Sequence, residues 1–178
     1  AILGQLKAAL LDAPFATQAP ASTVTYDLYL LAKQNMRERT EPSLKTAAAQ
    51  LDRASAADPD FAPALAQRAV AELLLSADEY GTIPNEQTRR NAKPWIDRAL
   101  ELDPNLDEAW AALGLYWGQA TNRGERLNGI EPLERALAIN PNLTNASNWL
   151  QGIMAGHGRL RDSISILEKM AERDPLYT

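Results

Sequence analysis

The single histidine of the chain, His157, stands between two glycines in Ala155-Gly-His-Gly-Arg159. An imidazole can act as a general base or a metal ligand near neutral pH, but neither role is complete here. No second ligand lies close by, the chain has no cysteine, and the flanking glycines mark a turn between helices. Gly152, Gly156 and Gly158 have the look of a phosphate loop, yet they follow a helical segment rather than a strand and lack the Lys-Ser/Thr pair. Carboxylates are scattered at ion-pair spacing with basic residues, as Glu131 with Arg135, and Glu168 and Glu172 with Arg161 and Arg173. That is the pattern of a solvated helix face. Among the four tryptophans, Trp110, Trp117 and Trp149 fall on apolar helical stripes and read as core. Trp95, beside Pro94, reads as partly exposed. No catalytic constellation emerges, so the expectation is a non-enzyme without metal or cofactor.

The elements that would position these residues are helical. The chain is 46% hydrophobic but only 6% aromatic, rich in alanine and poor in β-branched residues, which favours helix over sheet. A net charge of −5 and a pI near 5.0 argue against a nucleic-acid platform, because phosphate binding needs a basic face. No apolar run approaches the length of a membrane span, so no membrane insertion is expected. Residues 1–13 read as a short amphipathic helix with Ile2, Leu3, Leu6 and Leu10 on one side, the tail of something upstream. Pro14 and Pro20 then make a connection that separates residues 1–21 from a repeat region over 22–178.

In that region Asp-Pro or Asn-Pro stops fall at Pro59, Pro104, Pro141 and Pro175, so by subtraction the spacings are 45, 37 and 34 residues. Counting back from each stop recovers one helical signature in four units (about 22–61, 62–106, 107–143 and 144–178). It reads Ala47, Leu51, Ala54; then Ala92, Ile96, Ala99; then Gly129, Leu133, Ala136; then Ser163, Leu167, Met170. Small residues at these positions let helix axes approach while large ones fill the gap. The surplus in the second unit maps to about 78–88 and that in the third to 121–124. Pro132 is harmless if Asn128 caps its helix, and Pro94 only if its helix starts near Asn91; a longer helix from Asn85 would have to kink. First helices are less regular. In the second unit Arg68 and Glu72 occupy normally apolar slots, which implies a rotated helix burying Leu65, Ala69, Val70 and Leu73. The fourth unit ends without a visible polar cap, so a partner or further element is expected against its last face.

The third unit carries Trp110, Leu113, Gly114 and Trp117, then Gly129, Leu133 and Ala136 before Pro141. In order and spacing it resembles the tetratricopeptide repeat. The resemblance implies an all-α right-handed superhelix of about four helix pairs, whose first helices line a concave groove for a peptide or partner helix. Carried over by repeat position, the groove residues would be Tyr29, Lys33 and Arg37; Ala66, Val70 and Leu73; Glu108, Ala111, Leu115 and Gln119; Asn145 and Asn148. The Lys/Asn clamp that some members use for a carboxylate tail is not reproduced in two adjacent repeats, which disfavours an acidic-tail chaperone partner. Lys33 and Arg37 would instead orient an acidic or C-terminal segment.

More narrowly, Tyr26-Asp-Leu-Tyr-Leu-Leu-Ala-Lys33 followed by Ala57-Asp-Pro-Asp-Phe-Ala-Pro63 is similar to the tetratricopeptide region of bacterial multidomain signalling proteins, among them winged-helix regulators and class III nucleotide cyclases. That implies a protein-interaction scaffold of a larger regulatory protein. The alternative is an intramolecular regulatory segment or a self-associating one. The cytoplasm is the expected compartment, or the periplasm if a membrane span lies upstream.

Overall fold

The hydroxyl of Ser22 accepts the Thr25 N–H at 3.2 Å and starts the first helix, α1 (Thr23–Arg37). Thr40 and Ser43 exchange backbone and side-chain bonds in a capping box that starts α2 (Glu41–Ala57). The further helices are α3 (Ala62–Leu74), α4 (Asn85–Leu102), α5 (Asp107–Gly118), α6 (Ile130–Ile139), α7 (Thr144–Gly156) and α8 (Leu160–Arg173); a 3₁₀ turn, Glu125–Gly129, precedes α6. This computed structural model describes residues 22–77 and 81–173, and no strand occurs among them. The expected helix over 1–13 and the stop at Pro175 lie outside the described residues.

The three Asp-Pro and Asn-Pro stops that fall among the described residues fold alike. Asp58, Asp103 and Asn140 each leave the helix with ψ of 92°, 94° and 93°, the extended backbone that a following proline enforces. Each carboxylate or amide oxygen then accepts the N–H two residues on, from Asp60, Asn105 and Asn142 respectively. These Asx turns reverse the chain within a few residues. Consecutive helices consequently pack as hairpins, α1 with α2, α3 with α4, α5 with α6 and α7 with α8. Each second helix also packs on the next first helix, and α3, α5 and α7 pack side by side. The result is an all-α stack of helix pairs.

The recurring signature occupies the seams of this stack. Ala47, Leu51, Ala54, Ala92, Ile96, Ala99, Leu133 and Ala136 are all fully buried. A Cβ on Gly129 would lie 2.6 Å from the Gly114 carbonyl oxygen, and one on Gly114 would lie 2.3 Å from Leu133 Cγ. Glycine is required on both sides because α5 and the start of α6 cross this closely. In the fourth unit Ser163 and Met170 are buried, but Leu167 is 40% exposed, since no described helix follows α8.

α3 is apolar nearly all round and correspondingly buried, the mark of a helix enclosed by others. Its two off-pattern residues form a polar seam. Arg68 reaches Asp52 on α2 at 2.6 Å and Glu72 at 2.9 Å, and Asn91 on α4 donates to Glu72 at 2.7 Å. Burial pulls the Arg68 guanidinium towards neutrality, but its bonds to Glu72 and Asp52 outweigh that and the net shift is upward.

Of the two starts the sequence leaves open, α4 takes the longer, at Asn85, so Pro94 lies inside it and leaves the Arg90 carbonyl without its helical N–H donor. Part of the surplus expected in the 78–88 connection is thus helix. Gly129, not Asn128, precedes α6, with Pro132 buried in its first turn. Trp110, Trp117 and Trp149 are half-buried rather than fully core. Trp110 donates to the Pro104 carbonyl at 2.8 Å while the Arg135 guanidinium stacks 4.0 Å from its ring centroid, so Arg135 serves the ring rather than Glu131.

Candidate functional site

α1, α3, α5 and α7, the first helices of the four pairs, together wall one cavity of about 280 Å³. Its charged and amide side chains are Lys33, Arg37, Arg39, Gln67, Glu108 and Asn145. Beneath it lies a bonded triad. The Tyr29 hydroxyl sits 2.8 and 2.9 Å from the two Glu108 oxygens, and Lys33 Nζ lies 2.6 Å from Glu108 and 3.1 Å from the Tyr29 oxygen. Tyr29 is held from behind by Phe61, whose ring meets it edge-on at 5.5 Å. Glu108 occupies the first turn of α5, where the helix dipole favours a carboxylate. Tyr29 and Glu108 are each only 7% exposed. Burial, and next the Glu108 charge, push the Tyr29 hydroxyl far above the ordinary phenol range, so it remains a donor.

Arg39 gives the site its second long-range tie. It takes φ of 51°, the left-handed region that L side chains other than Asn and Asp rarely adopt. In that conformation its guanidinium donates to the Asn145 side-chain oxygen at 3.0 Å, joining the α1–α2 turn to the start of α7. Backbone strain held where glycine would serve more cheaply is a feature of functional sites. Arg37 is exposed at the rim. Three cations therefore meet one buried carboxylate in a chain whose net charge is −5.

The predicted groove residues divide into three sets. Lys33, Arg37, Glu108 and Asn145 come together at this cavity, with Tyr29 under it. Leu115, Gln119 and Asn148 line a neighbouring cavity of about 240 Å³ between α5 and α7. Gln119 also donates to the Leu73 carbonyl at 3.2 Å, which caps the end of α3. Ala66, Val70, Leu73 and Ala111 are 0–3% exposed and belong to the core. α3 is enclosed by α1, α2, α4 and α5, so Val70 and Leu73 face helices and not open groove. Arg68 and Glu72 stay turned towards α2 and α4, and enclosure rather than the expected rotation buries Val70 and Leu73. Leu115, at 6% exposed, contributes an edge rather than a wall.

Gln67 and Arg39 are missing from the sequence-derived set. Gln67 stands one residue after the groove position Ala66, whereas a turn residue such as Arg39 carries no repeat-position signal. His157 does lie in the expected turn, yet it is half-buried and structural. Its Nδ1 is 2.8 Å from the Ile153 carbonyl and its Nε2 2.7 Å from the Arg123 carbonyl, which pins residues 121–128 to the end of α7. Arg123 in turn donates to the Gly156 carbonyl. On the outer side, a cleft of about 560 Å³ between α2 and α4 is lined by Pro59, Pro94 and Trp95, but its charges are already paired, Asp52 with Arg68 and Arg98 with Asp60.

Among the described residues no group of three or more His, Asp or Glu side chains is placed to hold a metal ion, and no helix is long and apolar enough to cross a membrane. No protein-family model matches the chain, and no curated protein does.

Proposed function

We propose that this chain is a non-enzymatic protein-interaction module of tetratricopeptide type, part of a larger bacterial signalling protein, which holds an acidic peptide segment at its concave face. The family reading rests on the repeated signature and its stops, and the signalling context on the Tyr-x-x-Tyr-Leu helix and its neighbours. The observation that carries the binding reading is the cavity walled by all four first helices, where Lys33, Arg37 and Arg39 outnumber the one carboxylate. Glu108 engages Lys33 at 2.6 Å and leaves the rim guanidinium of Arg37 to pair with the ligand. A peptide carboxylate there would receive charge-assisted bonds, while Gln67 and Asn145 offer amide donors to its backbone.

Fluorescence anisotropy with a pooled library of acidic hexapeptides tests this reading. Saturable binding that weakens with salt is expected, with about tenfold or greater loss in Arg37→Glu. Arg37 is exposed and outside the core, so the variant folds. Equal binding by the wild type and Arg37→Glu would overturn the assignment.

A further inference from the structure

Among the described residues, large apolar side chains stand exposed almost only at the two ends of the stack. Val24, Tyr26, Leu30 and Leu31 are on α1, Leu160, Ile164 and Leu167 on α8, and only Leu127 lies elsewhere. The two ends differ in kind. At 3.6 residues per turn, the α1 residues fall on two separate strips, Val24 with Leu31 and Tyr26 with Leu30, with the polar Asp27 and Gln34 between them. The α8 residues form one continuous strip at i, i+4 and i+7, exposed by 60, 53 and 40%, extended by Ala171. Leu167 also has three counterparts in the repeat. Leu51, Ile96 and Leu133 occupy the same signature position and are 0% exposed, each sealed by the helix pair that follows. The α8 strip is therefore built like the seams inside the stack, but open.

We infer that this strip is a homodimer interface in which α8 packs antiparallel against α8 of a second copy, about a two-fold axis near Ile164. Charge self-complementarity points to a second copy. Arg161 and Glu168 lie on the same flank of the strip, three residues before and four residues after Ile164, and neither pairs with another described residue. A two-fold axis perpendicular to two antiparallel helices sets each flank against the same flank of its partner. Arg161 then meets the partner's Glu168, and Glu168 the partner's Arg161, on either side of an Ile164 contact. Parallel pairing would set this charged flank against the opposite one, where Ser163 and Met170 are buried. Arg161 and Glu168 would then be left without partners.

A 14-residue helix is about 21 Å long, and one such pair buries less than a standard protein interface. The dimer is accordingly weak, with a dissociation constant in the micromolar range.

Sedimentation velocity of the 178-residue chain from about 5 to 500 µM, a range bracketing that constant, provides the test. The wild type is expected to move from the monomer mass of 19.5 kDa to twice that value as concentration rises. Ile164→Glu should remain monomeric throughout with an unchanged helical circular dichroism spectrum, because Ile164 is exposed in the monomer. Arg161→Glu and Glu168→Arg each place like charges across the axis and should weaken association about tenfold or more. The double variant restores opposite charges and should return association close to the wild-type level. A monomeric wild type across the range would overturn the inference. So would a dimer that survives Ile164→Glu, which would place the contact on α1 or elsewhere. A double variant no better than its parents would also overturn it, since a head-to-tail contact of α8 with another surface gains nothing from the exchange.

Discussion

Replacing Tyr29 by Phe removes one hydroxyl and nothing else from the tie between the first and third helix pairs. The deleted oxygen lies 2.8 and 2.9 Å from the two Glu108 oxygens and 3.1 Å from Lys33 Nζ. Glu108 is 7% exposed, so water replaces the lost donor poorly and the carboxylate keeps Lys33 alone. A hydrogen bond to a charged acceptor in such a place is worth about 1.5–3 kcal/mol. With a melting shift of roughly 2–4 °C per kcal/mol for a chain of this size, a loss near 2 kcal/mol lowers Tm by about 4–8 °C.

The pH dependence gives a second, independent readout. Tyr29 is pushed above its ordinary value, chiefly by burial and next by the Glu108 charge. Its contribution is therefore fully present below about pH 10, the unfolded phenol's pKa, and declines as pH rises further, because the unfolded chain sheds a proton that the folded one keeps. Between about pH 10 and 11 the stability gap between the wild type and Tyr29→Phe should narrow by about 1 kcal/mol. The other tyrosines titrate alike in both proteins and cancel. Urea unfolding followed by circular dichroism at pH 7, 10 and 11 measures all of this. Equal midpoints at pH 7, or a gap that does not narrow above pH 10, would show that the triad does not tie the first and third helix pairs together.

Two further outcomes check the scaffold around the site. Gly114→Ala places a methyl group 2.3 Å from Leu133 Cγ in a fully buried seam, whereas Gly152→Ala meets nothing within 4 Å. Thermal melts should show the first destabilised by about 1–2 kcal/mol despite its gain in helix propensity, and the second stabilised by up to about 1 kcal/mol; equal effects would mean the axes do not approach. His157→Ala removes the ring that lies between the Arg123 and Ile153 carbonyls, so hydrogen exchange of residues 121–128 should accelerate at least tenfold while that of α3 stays unchanged. Unaltered protection in the loop would show that the histidine does not pin it.

Much of the scaffold is local and therefore legible in the chain. A proline after Asp58, Asp103 or Asn140 restricts the preceding residue to extended backbone, and the side chain of that residue closes the turn, so the stops follow from two adjacent residues. The seams follow from residues at helical spacing, because Ala47, Leu51 and Ala54 must share a face wherever the helix sits. The site obeys no such short-range rule. Tyr29 and Glu108 are 79 residues apart, and Arg39 and Asn145 are 106 apart; they meet because the helix pairs between them bring the first and third, and the first and fourth, into reach. Val70 and Leu73 show the same limit from the other side. Repeat position put them in the groove, but the enclosure of α3 by α1, α2, α4 and α5 put them in the core. Sequence alone determined the helices, their stops and the residues that let them pack, since each depends on neighbours along one helix or turn. Tertiary structure alone decided which side chains face the shared cavity, since that depends on how each helix is seated against helices distant in the chain.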